Sequence, residues 1–183
     1  ACRGVTKEFG TGDAMVRAGA RIAVLRPEAG LSGLPYASNY GSLFRQSPGA
    51  PFYLAASAAA HRKPEAEIVA GFLKEAGVPT ERVKAPWEGQ SEVQLLPGNR
   101  VILTYGPRSS REAVEELRAA VVPGARVLEL QTDDAHPFGD GVLGSMTARN
   151  GDVALLAWAG GLAGRGLPDL RSFVGTYADV VPI

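Results

Sequence analysis

The sequence predicts an α/β fold built from repeated ββαβ modules, each with two strands, a helix and a closing strand. A strand–strand–helix–strand pattern occurs three times along the chain, and the polar residues Asn39, Glu92 and Asp140 open the three copies. The steps between these residues are 53 and 48 positions, a regularity that is typical of repeated modules. The alternative is a plain α/β sandwich with accidental spacing. We expect one domain over residues 1–183, with modules at about 35–86, 87–132 and 133–183.

The second module shows the pattern most clearly. Pro97-Gly98-Asn99 separates two predicted strands, as a hairpin turn does. Ser109 and Glu112 have the spacing of a helix capping box, and an apolar stripe follows until Pro123-Gly124 ends the helix. The predicted strands are Glu92–Leu96, Arg100–Thr104 and Arg126–Leu130.

The other two modules repeat this order. In the first, Pro64 suits the first turn of a helix that Gly77 and Pro79 end. In the third, Asn150-Gly151 is a strong signal for a two-residue hairpin turn. Ahead of the modules we predict a strand at Arg21–Leu25. The predicted elements are strands at Gly41–Phe44, Phe52–Ala56, Val142–Ala148, Val153–Trp158 and Ala178–Ile183, and a short helix near Leu167–Val174.

Composition and charge argue against several classes of function. Nineteen basic and nineteen acidic residues give no net charge and no basic patch, so we expect no nucleic-acid partner. The longest apolar stretch, Val153–Leu162, is shorter than the roughly 20 residues that a membrane helix needs. Because Ala1–Glu8 has no apolar signal core, we expect a cytoplasmic protein without a membrane partner. Cys2 is the only cysteine, which excludes an internal disulfide.

Four segments, in this order and spacing, resemble a known family. They are Gly4–Pro27, Pro35–Gly41, Trp87–Val93 and Tyr105–Arg111. Together they resemble the amidinotransferase and dimethylarginine dimethylaminohydrolase superfamily, whose guanidine-modifying members have the pentein-type fold. The resemblance covers nearly the whole chain and implies a fivefold α/β propeller of which three modules are present here.

The resemblance also implies a chemistry. In the family a cysteine attacks the carbon of a guanidinium group, a histidine transfers protons, and carboxylates hold the guanidinium, without a cofactor. The implied substrate here is arginine or a methylated arginine, a small guanidino molecule. Carboxylates suit this task because a planar cation with several N–H donors is bound best through paired, charge-assisted hydrogen bonds.

Several residues match the family's binding positions. Glu88, in a Trp-Glu-Gly turn, is the implied catalytic carboxylate that grips the guanidinium, and Glu92 matches the second acid of that segment, where Asp is usual. Asn39 matches a position with Asp or Asn, and Asp140 is the acid of the third module. Arg108 would hold a substrate carboxylate with its forked guanidinium. The alternatives are an exposed turn acid for Glu88, an exposed strand-edge charge for Glu92 and a solvated arginine.

The chain departs from the family at the third module. The family has a histidine two residues before the acid, whereas here Phe138 stands two residues before Asp140 and His136 lies two positions further back. A loop shift would let His136 act as the catalytic acid and base, a task that imidazole suits. The alternative is an ordinary loop histidine beside Pro137.

The nucleophile is the second departure. The family carries its cysteine in a later module, so we expect the machinery to be incomplete in this chain. Cys2 is the one candidate catalytic thiol, because a closed ring brings the N-terminal segment near the last module. Its alternative is an ordinary, unreactive thiol.

Two other functions stay open from the sequence. One is a non-catalytic domain that binds a guanidino compound or assembles with another chain, and unpaired module faces favour a homo-oligomer. The other is a divalent-metal hydrolase that uses the loop between residues 133 and 140. Its potential ligands are Asp133, Asp134, His136 and Asp140.

Overall fold

The computed structural model of the protein describes most of the chain. The described residues are 25, 26, 28–31, 33, 34, 39–45, 51–57, 60–120, 124–147, 152–175 and 178–182. Cys2, the turn Asn150-Gly151 and all but the last residue of the predicted strand Arg21–Leu25 lie outside them. Within the described ranges, no helix has the length and apolar character to cross a membrane.

Three three-stranded sheets, each with one helix, form the described part of the chain, which confirms the prediction of three ββαβ modules. The strands are β1 (Gly41–Arg45), β2 (Pro51–Ala55) and β3 (Thr80–Arg82); β4 (Val93–Leu96), β5 (Arg100–Tyr105) and β6 (Arg126–Gln131); and β7 (Leu143–Thr147), β8 (Val153–Ala157) and β9 (Ala178–Pro182). The helices are α1 (Lys63–Glu75), α2 (Arg111–Ala120) and α3 (Gly166–Val174).

All three sheets have the same topology. The first two strands of each pair antiparallel and are joined by a short connection. The second and third strands pair parallel. A parallel pair needs a crossover connection, and the helix of each module supplies it. The central strand of each sheet is therefore the second strand of its module: β2, β5 or β8.

The start of α2 differs from the prediction in one respect. The hydroxyl that caps the helix belongs to Ser110, whose Oγ accepts a hydrogen bond from the Ala113 N–H at 3.3 Å. The Ser109 hydroxyl instead accepts the N–H of Glu88 at 3.1 Å. The capping-box assignment of Ser109 was therefore wrong by one residue, because the Ser109 hydroxyl binds the backbone of Glu88 and not the start of the helix.

Strand β5 joins the modules through both of its faces. Val101 and Leu103 point into a core shared by the first and second modules, which also contains Phe44, Trp87 and Leu117. Ile102, between them, points into a core shared by the second and third modules. Successive side chains of a strand alternate between faces, so one apolar strand serves two cores. The three modules are thus held in a row with β5 in the middle.

Short turns ahead of the first strands bring successive modules into backbone contact. We call them the opening turns: residues 39 and 40, Gly89–Glu92 and Gly139–Gly141, all with 3₁₀ geometry. A Cβ atom on Gly89 would lie 2.6 Å from the Gly41 nitrogen and 2.7 Å from the Asn39 carbonyl oxygen. A Cβ atom on Gly139 would lie 2.8 Å from the Ser91 carbonyl oxygen. The opening turns therefore stack in a row, and only glycine allows this approach.

Replacing Gly89 tests this contact. Gly89→Ala should lower the free energy of unfolding by about 3 kcal/mol or more, because its φ of +71° disfavours a side chain and the new methyl group meets backbone of the first module. Gly77→Ala is the matched control, since its φ is +81° but no atom lies within 4 Å of the new Cβ. It should lose only about 1–2 kcal/mol, the conformational cost. Equal losses in denaturant unfolding would contradict the packing argument.

Candidate functional site

Glu88 is a buried and rigidly held acid at the junction of the modules. It is 4% exposed and lies directly ahead of the second opening turn. Its N–H donates to the Ser109 Oγ at 3.1 Å, and its carbonyl accepts the Ser91 hydroxyl at 2.8 Å. The alternative of an exposed turn acid is therefore wrong, and the carboxylate is fixed by its backbone on both sides.

The Glu88 carboxylate holds a guanidinium group of the protein itself. Arg108 donates to the Oε1 atom from Nε at 3.1 Å and from Nη2 at 2.8 Å. The Arg108 Cζ atom lies 5.2 Å from the centre of the Phe138 ring, so the cation also has an aromatic face beside it. In this structure Arg108 therefore pairs with a carboxylate of the protein itself, and the predicted contacts of Arg108 and Glu88 with a substrate stay predictions.

Glu92 lies on the same opening turn but in a different environment. It is 1% exposed, and its Oε2 atom accepts the Thr104 hydroxyl and the Gly139 N–H, the latter at 3.1 Å. Its Oε1 atom has no hydrogen-bond partner among the described residues. The alternative of an exposed strand-edge charge is wrong, because Glu92 joins the second module to the third.

Burial raises the pKa of Glu92 to about 7. Hydrogen bonds from Thr104, Gly139 and Ser109 favour the ionised form, while the nearby charge of Asp140 opposes it. Desolvation outweighs these hydrogen bonds, since none of the described groups that act on the carboxyl is a cation. Glu88 and Glu92 are only four residues apart, yet one carboxyl has a guanidinium partner and the other has only neutral donors.

Asn39 and Asp140 lie on the first and third opening turns, on either side of the turn that follows Glu88. The Asn39 backbone packs on Gly89, next to Glu88, and its side chain is half-buried. Asp140 is exposed on the third opening turn, and partial desolvation raises the pKa of its carboxyl. It lines an open cavity of about 220 Å³ with Gln90, Ser91, Val93 and Gln94.

His136 lies on the third module, against Trp158. The two rings meet edge to face with their centres 3.9 Å apart, and the His136 Nδ1 atom is 3.7 Å from the Asp133 Oδ1 atom. In the described part of the chain, His136 makes no hydrogen bond or ion pair with Glu88 or Glu92. Phe138, two positions further along, is the residue of this loop that reaches Arg108.

The loop between residues 133 and 140 does not form a metal site. Among the described residues, no three His, Cys, Asp or Glu side chains lie close enough together to hold a metal ion. Asp133 instead accepts the Ala135 N–H at 2.9 Å and shapes a turn. The structure gives no support to the metal-hydrolase alternative.

A third buried glutamate, Glu65, was not predicted from the sequence. Glu65, on the first turn of α1, accepts the Gly33 N–H on Oε1 at 2.7 Å. Its Oε2 atom accepts the Tyr40 hydroxyl and the Arg62 Nε, both at 2.6 Å. The hydrogen bond from Tyr40 is the main reason that the pKa of Glu65 is lowered, and burial raises the pKa of Tyr40 to about 12. An acid in the first turn of a helix is ordinary, so Glu65 could not be recognised from the sequence as part of a buried cluster.

Comparison with known proteins identifies the fold. No protein-family model and no curated protein matches the sequence. Among solved structures, the N-terminal domain of ArgZ, an arginine dihydrolase from Cyanobacteria bound to product, matches 94% of this chain with a TM-score of 0.74 and 13% identity. AgrE with ornithine and NAD+ matches 96% with a TM-score of 0.76 and 17% identity. DDAH from Pseudomonas aeruginosa, a cysteine-to-serine mutant with citrulline, matches 96% with a TM-score of 0.64 and 15% identity.

The chain therefore has the pentein-type fold of these arginine-modifying enzymes, as the sequence resemblance implied. It spans 62% of the ArgZ domain, 25% of AgrE and 64% of DDAH. At these sequence identities the likeness is one of fold.

The raised pKa of Glu92 predicts a pH dependence of stability. The unfolded chain releases this proton near the ordinary value of 4.5, whereas the folded chain keeps it up to about pH 7. Between these values the folded state binds more protons, so the free energy of unfolding falls as pH rises, by about 2–3 kcal/mol, and levels off above pH 7. Denaturant unfolding at pH 5 and pH 8 measures the change.

Glu92→Gln is the variant that assigns this titration. The amide keeps an acceptor for Thr104 and Gly139 but cannot ionise, so most of the fall between pH 5 and pH 8 should disappear. A slope as steep as in the unmodified protein would show that another group causes it.

Proposed function

We propose that this protein binds the guanidinium group of arginine or a methylated arginine at Glu88, as part of a guanidine-modifying hydrolase or amidinotransferase-like protein. The observation that carries the proposal is the Arg108 pair: a buried carboxylate at the module junction already accepts two N–H donors of a guanidinium beside an aromatic ring. The pentein-type fold, shared with proteins solved with arginine, ornithine and citrulline, supports it.

The physical properties of Glu88 suit this ligand. Its carboxylate is largely removed from water, which strengthens its attraction for a cation and makes an empty site costly. Its backbone is held by Ser109 and Ser91, so little ordering remains to be done when a ligand binds. Ammonium ions lack the planar set of donors that a guanidinium offers to a carboxylate and a ring.

The remaining predicted residues take different parts in this proposal. Asn39 and Asp140 flank the Glu88 site and stay candidates for contacts to the rest of the ligand. Glu92 is too deeply buried for such a contact as it stands, and it supports the site by joining two modules. Catalysis requires a nucleophile and a proton carrier, for which Cys2 and His136 remain the candidates.

Binding is tested by calorimetry with arginine and the methylated arginines. Glu88→Gln should weaken binding by about a hundredfold, since the charge that pairs with the guanidinium is lost while the shape is kept. Glu129→Gln is the matched control, because it removes a glutamate that pairs with the exposed Arg118 away from the site. Equal affinities for the two variants would argue against Glu88 as the binding group.

Turnover is tested by citrulline release from arginine. If the chain is catalytic, Cys2→Ser should abolish release while arginine still binds, and a chloroacetamidine probe should label Cys2 more slowly when arginine is present. Arginine binding without citrulline release supports the non-catalytic alternative. Release that persists in Cys2→Ser would remove Cys2 from the mechanism.

Assembly with another chain is a second candidate function. The strands β1, β4 and β7 lie at one edge of their sheets, and each carries a large apolar residue that is more than half exposed: Leu43, Leu95 and Met146. Edges of this kind favour association, and we propose a homo-oligomer. Light scattering would show a mass that falls when Leu95→Lys is introduced; a monomer at every concentration would contradict this proposal.

A further inference from the structure

The two buried glutamates that hold an arginine differ in how completely they are bonded. Both oxygens of Glu65 accept hydrogen bonds, from Gly33 on one and from Tyr40 and Arg62 on the other. Both hydrogen bonds to Glu88 fall on Oε1, and no described residue donates to its Oε2 atom. Both carboxylate oxygens of Glu65 therefore have donors among the described residues, whereas the Oε2 atom of Glu88 can still accept a hydrogen bond from a ligand.

The two side chains of the Arg108–Glu88 pair also differ in exposure to solvent. The Glu88 side chain is 5% exposed, whereas the Arg108 side chain is 34% exposed and extends from the bend ahead of α2. Arg108 can leave for water at small cost, because its charged end is already partly hydrated. Glu88 cannot be left alone, since an unpaired buried carboxylate is strongly unfavourable. Arg108 therefore leaves when another cation of the same shape takes its place.

We propose that Arg108 is an internal occupant of the Glu88 site and that a ligand guanidinium displaces it. The displacement frees Arg108 for the ligand carboxylate that the family resemblance already assigns to it. This inference rests on the proposed binding of guanidino compounds at Glu88. The incoming guanidinium takes over the carboxylate and the Phe138 ring. The released Arg108 side chain lies beside the ligand and pairs with its carboxylate, so one ion pair is exchanged for two.

The exchange makes Arg108 a specificity-determining residue. Arginine carries a carboxylate that can form a new ion pair with Arg108 when Arg108 leaves Glu88. Agmatine, which is arginine without that carboxylate, has the same guanidinium but leaves Arg108 without a partner. Internal competition also lowers the affinity for every guanidinium, because the apparent affinity scales with the fraction of molecules in which Arg108 has left the site.

Calorimetry with arginine and agmatine on four proteins tests the proposal: the unmodified chain, Arg108→Ala, Arg108→Lys and Arg118→Ala. The unmodified chain should bind arginine about tenfold tighter than agmatine or more. In Arg108→Ala, agmatine should bind about tenfold tighter than before, and the two ligands should come within about threefold of each other. Arg108→Lys keeps a charge beside Glu88, and its affinity for agmatine should lie between those of the unmodified chain and Arg108→Ala. The reason is that an ammonium competes for Glu88 less well than the planar guanidinium does.

The control and the contrary outcomes separate this proposal from the proposed function. Arg118→Ala removes an arginine that pairs with Glu129 and should keep the preference of the unmodified chain. If the unmodified chain binds arginine but agmatine binds no tighter to Arg108→Ala, the internal occupant is overturned and the proposed function stands. If the unmodified chain binds neither ligand but Arg108→Ala binds agmatine, the internal occupant is supported and the proposed function fails.

Thermal unfolding gives a readout that needs neither ligand. Arg108→Ala leaves the Glu88 carboxylate without its cation, so its Tm should fall. Millimolar methylguanidine, far below denaturing concentrations, should restore part of that loss, whereas methylammonium should not. Neither cation should raise the Tm of Arg118→Ala. An unchanged Tm of Arg108→Ala with methylguanidine would overturn the internal-occupant proposal.

Discussion

The close stacking of the opening turns is the constraint on which the rest of the structure depends. Gly89 and Gly139 let the backbone of one module touch that of the next, and no larger residue fits there without displacing backbone or the Thr104 side chain. Because the turns are stacked, the side chains that flank these glycines are removed from water. Burial of Glu88 and Glu92 is thus a consequence of how the modules join, and the chemistry of both acids follows from it.

The two acids show how one turn produces two kinds of carboxyl group. Glu88 faces a guanidinium, which compensates its charge. Glu92 faces a hydroxyl and a backbone N–H, which compensate it only in part, so its proton is held up to about neutral pH. Neighbouring carboxyls with different surroundings are a familiar way to obtain different protonation states at one pH. Here the difference is structural: Glu88 pairs with a partly exposed arginine, and Glu92 joins two modules.

Local signals were enough to predict the modules, and long-range contacts explain what was missed. The hairpin turn Pro97-Gly98-Asn99 and the stop at Gly77 act over a few residues, so the sequence shows them directly. The role of Ser109 depended on Glu88, 21 positions away, and spacing alone could not reveal that its hydroxyl bonds to that backbone. The Glu65 cluster likewise depends on Gly33, 32 positions away. Thr104 was predicted only as the last residue of a strand, and its hydrogen bond to Glu92 was visible only in the fold.

The replacement of a histidine-like position by Phe138 changes what the site is suited to do. A phenyl ring cannot carry a proton, but it offers a flat apolar face to a guanidinium, and Arg108 lies at that face. The ring and the buried carboxylate together favour a planar cation that is held, whereas reaction at the guanidinium carbon requires a nucleophile and a proton carrier from elsewhere. The described residues thus account for the binding step of the proposed function, and the reacting groups belong to its untested part. Because Arg108 already pairs with Glu88, the proposed exchange makes the affinity of a ligand the difference between two similar ion pairs. The groups beyond the guanidinium would then decide which ligand binds.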